Sequence, residues 1–137
     1  MLFPKKVKHR KWQRLSTKRK LKETRGYTLA FGAFGLKAEE AGLINSKQLE
    51  AARKAMVRYI QRGGKLWIRV FPDKPITHKP PEVTMGGGKG EPVGYVFPTK
   101  PGRIVFEMDG IERSIAEEAL RRAGAKLSIR TKFVFRD

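Results

Sequence analysis

Apolar residues return along this chain in two rhythms. From Asn45 to about Arg62, Leu49, Ala52, Met56 and Ile60 recur at helical spacing. They predict a helix with Ser46 as its N-cap and Gly63-Gly64 as its stop. A second helix is expected from about Ile111 to Ala123, with Ile115, Ala119 and Ala123 inward and Ala116 and Leu120 beside them. Elsewhere the period is two. Tyr27, Leu29, Phe31 and Ala33 alternate over 27–34 and predict a strand, with Gly32 marking a close backbone approach. Gly35 to Leu43 reads as a connector or a short helical turn. In 65–71, Leu66, Ile68 and Val70 face one way, while Lys65, Trp67, Arg69 and Phe71 form a mixed basic-aromatic face. Further strands are predicted at about 93–97, 103–108 and 127–135. The last has Leu127, Ile129, Thr131, Phe133 and Phe135 on one face and Arg130 and Lys132 on the other.

The pattern lapses from Pro72 to Gly94, where Pro72, Pro75, Pro80, Pro81 and Pro92 join a run of glycines. So long a gap in a compact domain is usually functional or disordered, and 73–94 is expected to be a functional loop. Strands outnumber helices without alternating regularly with them. That predicts an α+β fold, a mostly antiparallel sheet with two main helices on one face. The 137 residues fit one domain, 27–137, preceded by a basic arm, 1–26.

Charge gives the arm its meaning. The chain carries 31 Lys+Arg against 13 Asp+Glu, net +18, and residues 1–26 hold 11 of those cations with one acid, Glu23. Such a block is too self-repelling to fold by burial and is the footprint of a nucleic-acid-binding arm. Lys5, Lys6, Lys8, Arg10, Lys11, Arg14, Lys18, Arg19, Lys20 and Lys22 are its candidate phosphate contacts. Trp12, set among them, would either stack on a base or anchor the arm to the domain. On the first helix, Lys47, Lys54, Arg58 and Arg62 fall within about 80° of one another, opposite the apolar face. They form a candidate phosphate-facing stripe; the alternative is a solvated helix surface. No apolar run approaches the roughly 20 residues of a membrane helix.

The residues that could carry chemistry are scattered. His9 and His78 are far apart, and without cysteine they lack metal-ligand spacing, so no metal or cofactor is expected. Ser16, Ser46, Ser114 and Ser128 have no nucleophile-elbow context. Glu39-Glu40 and Glu117-Glu118 are adjacent pairs that a helix would splay apart, and Glu107 and Asp109 share a strand side without an evident base or metal partner. The segment Met85-Gly-Gly-Gly-Lys-Gly90 fails as a Walker A loop, because Val83 and Gly90 stand where glycine and Ser/Thr are needed. What remains is bare backbone beside Lys89, suited to pressing amides against phosphate. No catalytic residue is expected.

Two stretches are diagnostic. Gly63-Gly-Lys-Leu-Trp-Ile-Arg-Val-Phe-Pro-Asp-Lys-Pro-Ile-Thr77 and Met85-Gly-Gly-Gly-Lys-Gly90 closely resemble the signature segments of bacterial ribosomal protein L-sixteen. The opening Met-Leu-Phe-Pro-Lys-Lys, Phe31-Gly-Ala-Phe-Gly-Leu36, Gln48-Leu-Glu-Ala-Ala-Arg53 and Lys100-Pro-Gly-Arg103 match that family in collinear order. The resemblance implies an α+β domain among large-subunit ribosomal RNA helices, beside the aminoacyl-tRNA site. It implies a Gly-rich loop reaching toward the peptidyl-transferase region, and a part in tRNA accommodation and late subunit assembly. Onto that loop it places Lys74, Lys79, Thr84, Met85, Gly86, Gly87, Gly88, Lys89 and Gly90. Two positions depart from the pattern. Thr84 stands where the family usually has an arginine, and Gly87 where it often has a lysine, so this loop carries fewer cations.

The expected partners are large-subunit rRNA, tRNA in the aminoacyl site and neighbouring ribosomal proteins, with no membrane and no homo-oligomer. The expected place is the ribosome, in the cytoplasm or in a bacterial-type organelle. The competing class is a free RNA-binding regulator or RNA chaperone, which would carry the same charge without the collinear match. Affinity for RNA should fall steeply with salt, at roughly 0.7–0.9 on the log–log slope per neutralised phosphate. Deleting residues 1–22 should flatten that slope, as a filter-binding titration at several salt concentrations would measure.

Overall fold

The computed structural model describes residues 2–9, 22–61, 63–78 and 91–136. Its elements in chain order are β1 (Phe34–Ala38), β2 (Gly42–Asn45), α1 (Ser46–Ile60), β3 (Lys65–Ile68), β4 (Lys74–His78), β5 (Glu91–Thr99), β6 (Ile104–Asp109), α2 (Arg113–Gly124) and β7 (Thr131–Phe135). They form two sheets, ordered β3-β6-β1-β7 and β2-β5-β4. Every pairing is antiparallel. The chain passes between sheets at the β5–β6 turn, where Pro101 precedes Gly102 at φ 102°, a conformation that glycine adopts at little cost.

The fold is α+β with antiparallel sheets and two helices, as the periodicities predict. In α1, Leu49, Ala52 and Met56 are fully buried, which the helical spacing anticipates. Its N-cap is Asn45 rather than Ser46. The Asn45 side chain accepts from the Gln48 amide at 2.8 Å, and the Gln48 side chain accepts from the Asn45 amide at 3.1 Å. This reciprocal capping box satisfies two amides at once. In α2, Ala116, Ala119, Leu120 and Ala123 face the core, while Ile115 lies outside it. Small residues let α2 sit close against both α1 and β1, β6 and β7. Behind it, Leu36, Phe106 and Met108 complete a core shared with Ile44, Val70, Leu127 and Ile129.

The strand expected at 27–34 is absent. The strands instead occupy 34–38 and 42–45, the stretch read as connector or helical turn. The physical reason lies on β6. Glu107 and its register partner Trp67 lie on the sheet face opposite Phe106 and Met108. There the Glu107 carboxylate is fully buried. One oxygen accepts three successive amides, from Ala30 (2.9 Å), Phe31 (2.9 Å) and Gly32 (3.0 Å). The other oxygen pairs with the Arg69 guanidinium. Amides converging on one carboxylate have none left for a ladder, so 30–32 cannot pair as a strand, and 22–33 crosses the sheet as an irregular segment. Its other ties include Glu23 N–H to Pro101 O, Ile104 N–H to Gly26 O, and Arg103 to Arg25 O. Gly32 does mark a close approach, since an added Cβ would lie 2.5 Å from the Met108 carbonyl.

The gap read from Pro72 to Gly94 also shrinks. Lys74–His78 and Glu91–Thr99 pair as β4 and β5, and residues 79–90 connect them outside the described residues. Pro75 is tolerated because β4 is an edge strand. Apolar alternation was too sparse here to announce a strand.

Glu107→Ala should cost about 3–5 kcal/mol, because it leaves a partly buried guanidinium and three amides without their acceptor. Burial alone would raise the Glu107 pKa. The amides of Gly32 and Phe31, the Arg69 guanidinium and the Ala30 amide outweigh it and hold the carboxyl below its ordinary value of 4.5. Its contribution is therefore complete above pH 4.5 and is lost as pH falls through the lower folded value. Thermal melts of Glu107→Gln should start from a lower midpoint at pH 7. They should show a shallower loss of stability than wild type below pH 4.5.

Candidate nucleic-acid interface

The surface cations divide by whether a carboxylate holds them. Lys47, Lys54 and Arg58 are exposed on α1, on the side away from Leu49, Ala52 and Met56. Among the described residues no carboxylate forms an ion pair with them. Arg62, the fourth member of the predicted stripe, lies outside the described residues. Other arginines are engaged. Arg53 pairs with Glu50 at 2.5 Å, Arg121 and Arg122 grip Glu118 at 2.6 and 3.0 Å, and Arg130 meets Glu40 at 3.4 Å. The hydrogen bonds of Arg121, then Arg122, hold the Glu118 carboxyl down to about 2, so that cluster stays neutralised at physiological pH. The α1 stripe is thus a set of open charges on a rigid element, and the arrangement suits phosphates strung along a groove.

In the arm, Lys5, Lys6 and Lys8 are exposed, and Leu2 packs against the core. Arg10, Lys11, Trp12, Arg14, Lys18, Arg19 and Lys20 lie outside the described residues. Lys22 is exposed. It borders a concavity of about 490 Å³ lined by four cations, Lys22, Lys37, Arg130 and Lys132, and two acids, Glu23 and Glu39. This concavity, with an excess of cations over acids, is not evident in the sequence, since its cations come from three separate segments. Of the predicted loop residues, Lys74 sits on β4 and is only 7% exposed. Lys79, Thr84, Met85, Gly86, Gly87, Gly88, Lys89 and Gly90 lie outside the described residues.

Beside Glu107 an aromatic pair comes to the surface. Phe31 stacks on Trp67, with ring centroids 5.9 Å apart and planes 20° from parallel. The Arg69 guanidinium lies 5.3 Å from the Phe31 ring centre. Phe31 is 56% exposed. The mixed basic-aromatic face of 65–71 was visible as alternation, but Phe31 joins it only because Glu107 holds the crossing segment. Glu107, Arg69 and Arg103 were all missed as organising residues. Arg103 donates to the carbonyls of Arg25 and Arg69 at 3.1 Å each and lies over the Phe97 ring. The signal that could have found Glu107 is an acid set between apolar residues, Ile104 to Phe106 before it and Met108 after it, which demands a buried partner.

Comparison with known families decides the class, because the ribosomal protein L16p/L10e family matches residues 4–134. The chain belongs to that family. It is therefore a structural constituent of the large ribosomal subunit, associated with its rRNA and proteins, and not an enzyme. It resides on ribosomes, in a compartment where translation occurs. Among the described residues no helix is long and apolar enough to cross a membrane. No group of three potential metal ligands assembles among them.

Replacing Lys47, Lys54 and Arg58 together by alanine should leave the melting temperature nearly unchanged, since exposed substitutions typically shift stability by less than about 0.5 kcal/mol each. The same variant should bind large-subunit rRNA fragments more weakly and with a salt slope reduced by about two to three. Parallel melting and binding measurements separate the two effects.

Proposed function

We propose that this protein binds rRNA beside the aminoacyl-tRNA site as a single copy, steadies incoming tRNA there and supports late subunit assembly. In this reading the arm 1–26 and the α1 cations Lys47, Lys54, Arg58 and Arg62 hold rRNA. The single domain 27–137 carries the loop, and Lys79, Thr84, Met85, Gly86, Gly87, Gly88, Lys89 and Gly90 form its tRNA-side tip. Lys74 serves at the base of that loop, its stem packed into the sheet rather than free to reach RNA.

The observation that carries this reading is the family match running through the Gly-rich segment, combined with the pairing of the strands that flank it. His78 and Glu91 are register partners, so residues 79–90 join the ends of one hairpin on the sheet remote from α2. A hairpin tip can be altered without disturbing the core, which suits a part whose task is contact. With Thr84 and Gly87 in place of family cations, the tip is left to approach phosphate chiefly through backbone amides.

Deleting residues 84–90 with a short Gly-Ser closure should keep the melting temperature within a few degrees, because loop-closure entropy varies slowly with length. The variant should still co-sediment with the large subunit. Its ribosomes should bind aminoacyl-tRNA more weakly or more slowly, and Lys89→Ala should show a milder form of the defect. Normal tRNA binding by ribosomes carrying the deletion would overturn the assignment of this loop to tRNA.

A further inference from the structure

We propose that the stacked pair Phe31–Trp67 is a platform for an unpaired RNA base. This rests on the reading of the protein as an rRNA binder and adds a site to it. Stacking surfaces for single-stranded nucleic acid need an exposed aromatic face, a cation nearby for the phosphate and little freedom to lose. All three are present. Phe31 shows 56% of its surface, and its ring is braced against Trp67 at 5.9 Å. Lys65, two residues before Trp67 and exposed, lies on the same side of the edge strand β3. The Phe31 backbone is anchored by its own amide and those of Ala30 and Gly32 on the buried Glu107 carboxylate.

A purely structural account of the pair is less satisfactory. A phenylalanine placed only for burial would not be left more than half exposed while its amide is pinned. Arg69, which could have been spent on solvent, is turned inward to Glu107 and lies 5.3 Å from the Phe31 ring. The resulting surface is an exposed aromatic ring braced on a second ring at a sheet edge, in a chain of net charge +18. Charge complementarity therefore selects a polyanion with exposed π-faces over an apolar protein segment. A duplex satisfies the charge but hides its base faces, so the ligand is an unpaired nucleotide.

Trp12→Phe leaves Trp67 as the sole tryptophan and makes its fluorescence a reporter of this pair. A single-stranded RNA oligonucleotide should quench that emission. An RNA duplex of equal phosphate number should bind through charge without quenching it. In the same background Phe31→Ala should weaken single-strand binding on the order of tenfold. Phe31→Tyr should restore it, and Phe31→Leu should not. Melting curves establish that each variant is folded. Equal quenching by duplex and single strand, or unchanged binding by Phe31→Ala, overturns the proposal. Sedimentation of Phe31→Ala with the large subunit tests the rRNA reading separately. If the variant enters the subunit, chemical probing should show one or two unpaired rRNA bases newly reactive, and an unchanged probing pattern would also defeat the stacking site.

Discussion

One buried carboxylate sets the outer face of the larger sheet. A glutamate flanked by the buried apolar residues Phe106 and Met108 is costly to desolvate, and it is tolerable only where strong donors surround it. Glu107 collects four such donors, the Arg69 guanidinium and three consecutive amides. Because amides that are neighbours in sequence must converge on one atom, the backbone at 30–32 is held in a single conformation. Everything attached to it inherits that rigidity. Gly32 must lack a Cβ beneath the Met108 carbonyl, and Phe31 must project outward beside Trp67. The Arg69 side chain also binds the Thr28 carbonyl, so the same cation fastens the crossing segment a second time.

The parts of the fold legible in sequence were those set by repeated local periodicity. Leu49, Ala52 and Met56, or Ala116, Ala119, Leu120 and Ala123, reveal a helix because each packs by the same rule as the one before it. The parts that were not legible were set by single long-range contacts. Tyr27, Leu29, Phe31 and Ala33 alternate as a strand does, yet their segment is captured by Glu107, some 75 positions away in sequence. β4 carries too few apolar side chains for alternation to register, and its existence follows from pairing with β5. Asn45 was passed over for Ser46 because both are good caps. Only the reach of the Asn45 side chain to Gln48 distinguishes them.

The same division holds for the interface. The α1 stripe was readable, since helical geometry alone brings Lys47, Lys54 and Arg58 to one side. The concavity around Lys22, Lys37, Arg130 and Lys132 was not, since it needs the crossing segment, β1 and the chain entering β7 to be brought together. The basic-aromatic face of β3 was half readable. Trp67 belongs to that alternation, but its partner Phe31 alternates as if in a strand of its own, and their stacking depends on the buried Glu107.

Arginine and lysine have separate duties here. Among the described residues every ion pair to a carboxylate is made by arginine, namely Arg53, Arg69, Arg103, Arg121, Arg122 and Arg130. A planar guanidinium can hold a carboxylate through two parallel bonds, as Arg53 does with Glu50 and Arg121 with Glu118, or pair with an acid and still lie on an aromatic ring, as Arg69 and Arg103 do on Phe31 and Phe97. That chemistry builds the protein itself. The lysines at 5, 6, 8, 22, 47 and 54 are exposed and outside those pairs. A flexible ammonium neutralises phosphate as a point charge with little geometric demand, so on the proposed interface these lysines supply affinity and salt dependence but little discrimination. Discrimination must then come from surfaces of fixed shape, and the arginine–carboxylate contacts are what give this small, self-repelling chain any. The cations consumed by folding are thus not lost to RNA recognition, because they hold rigid the features that charge alone does not provide.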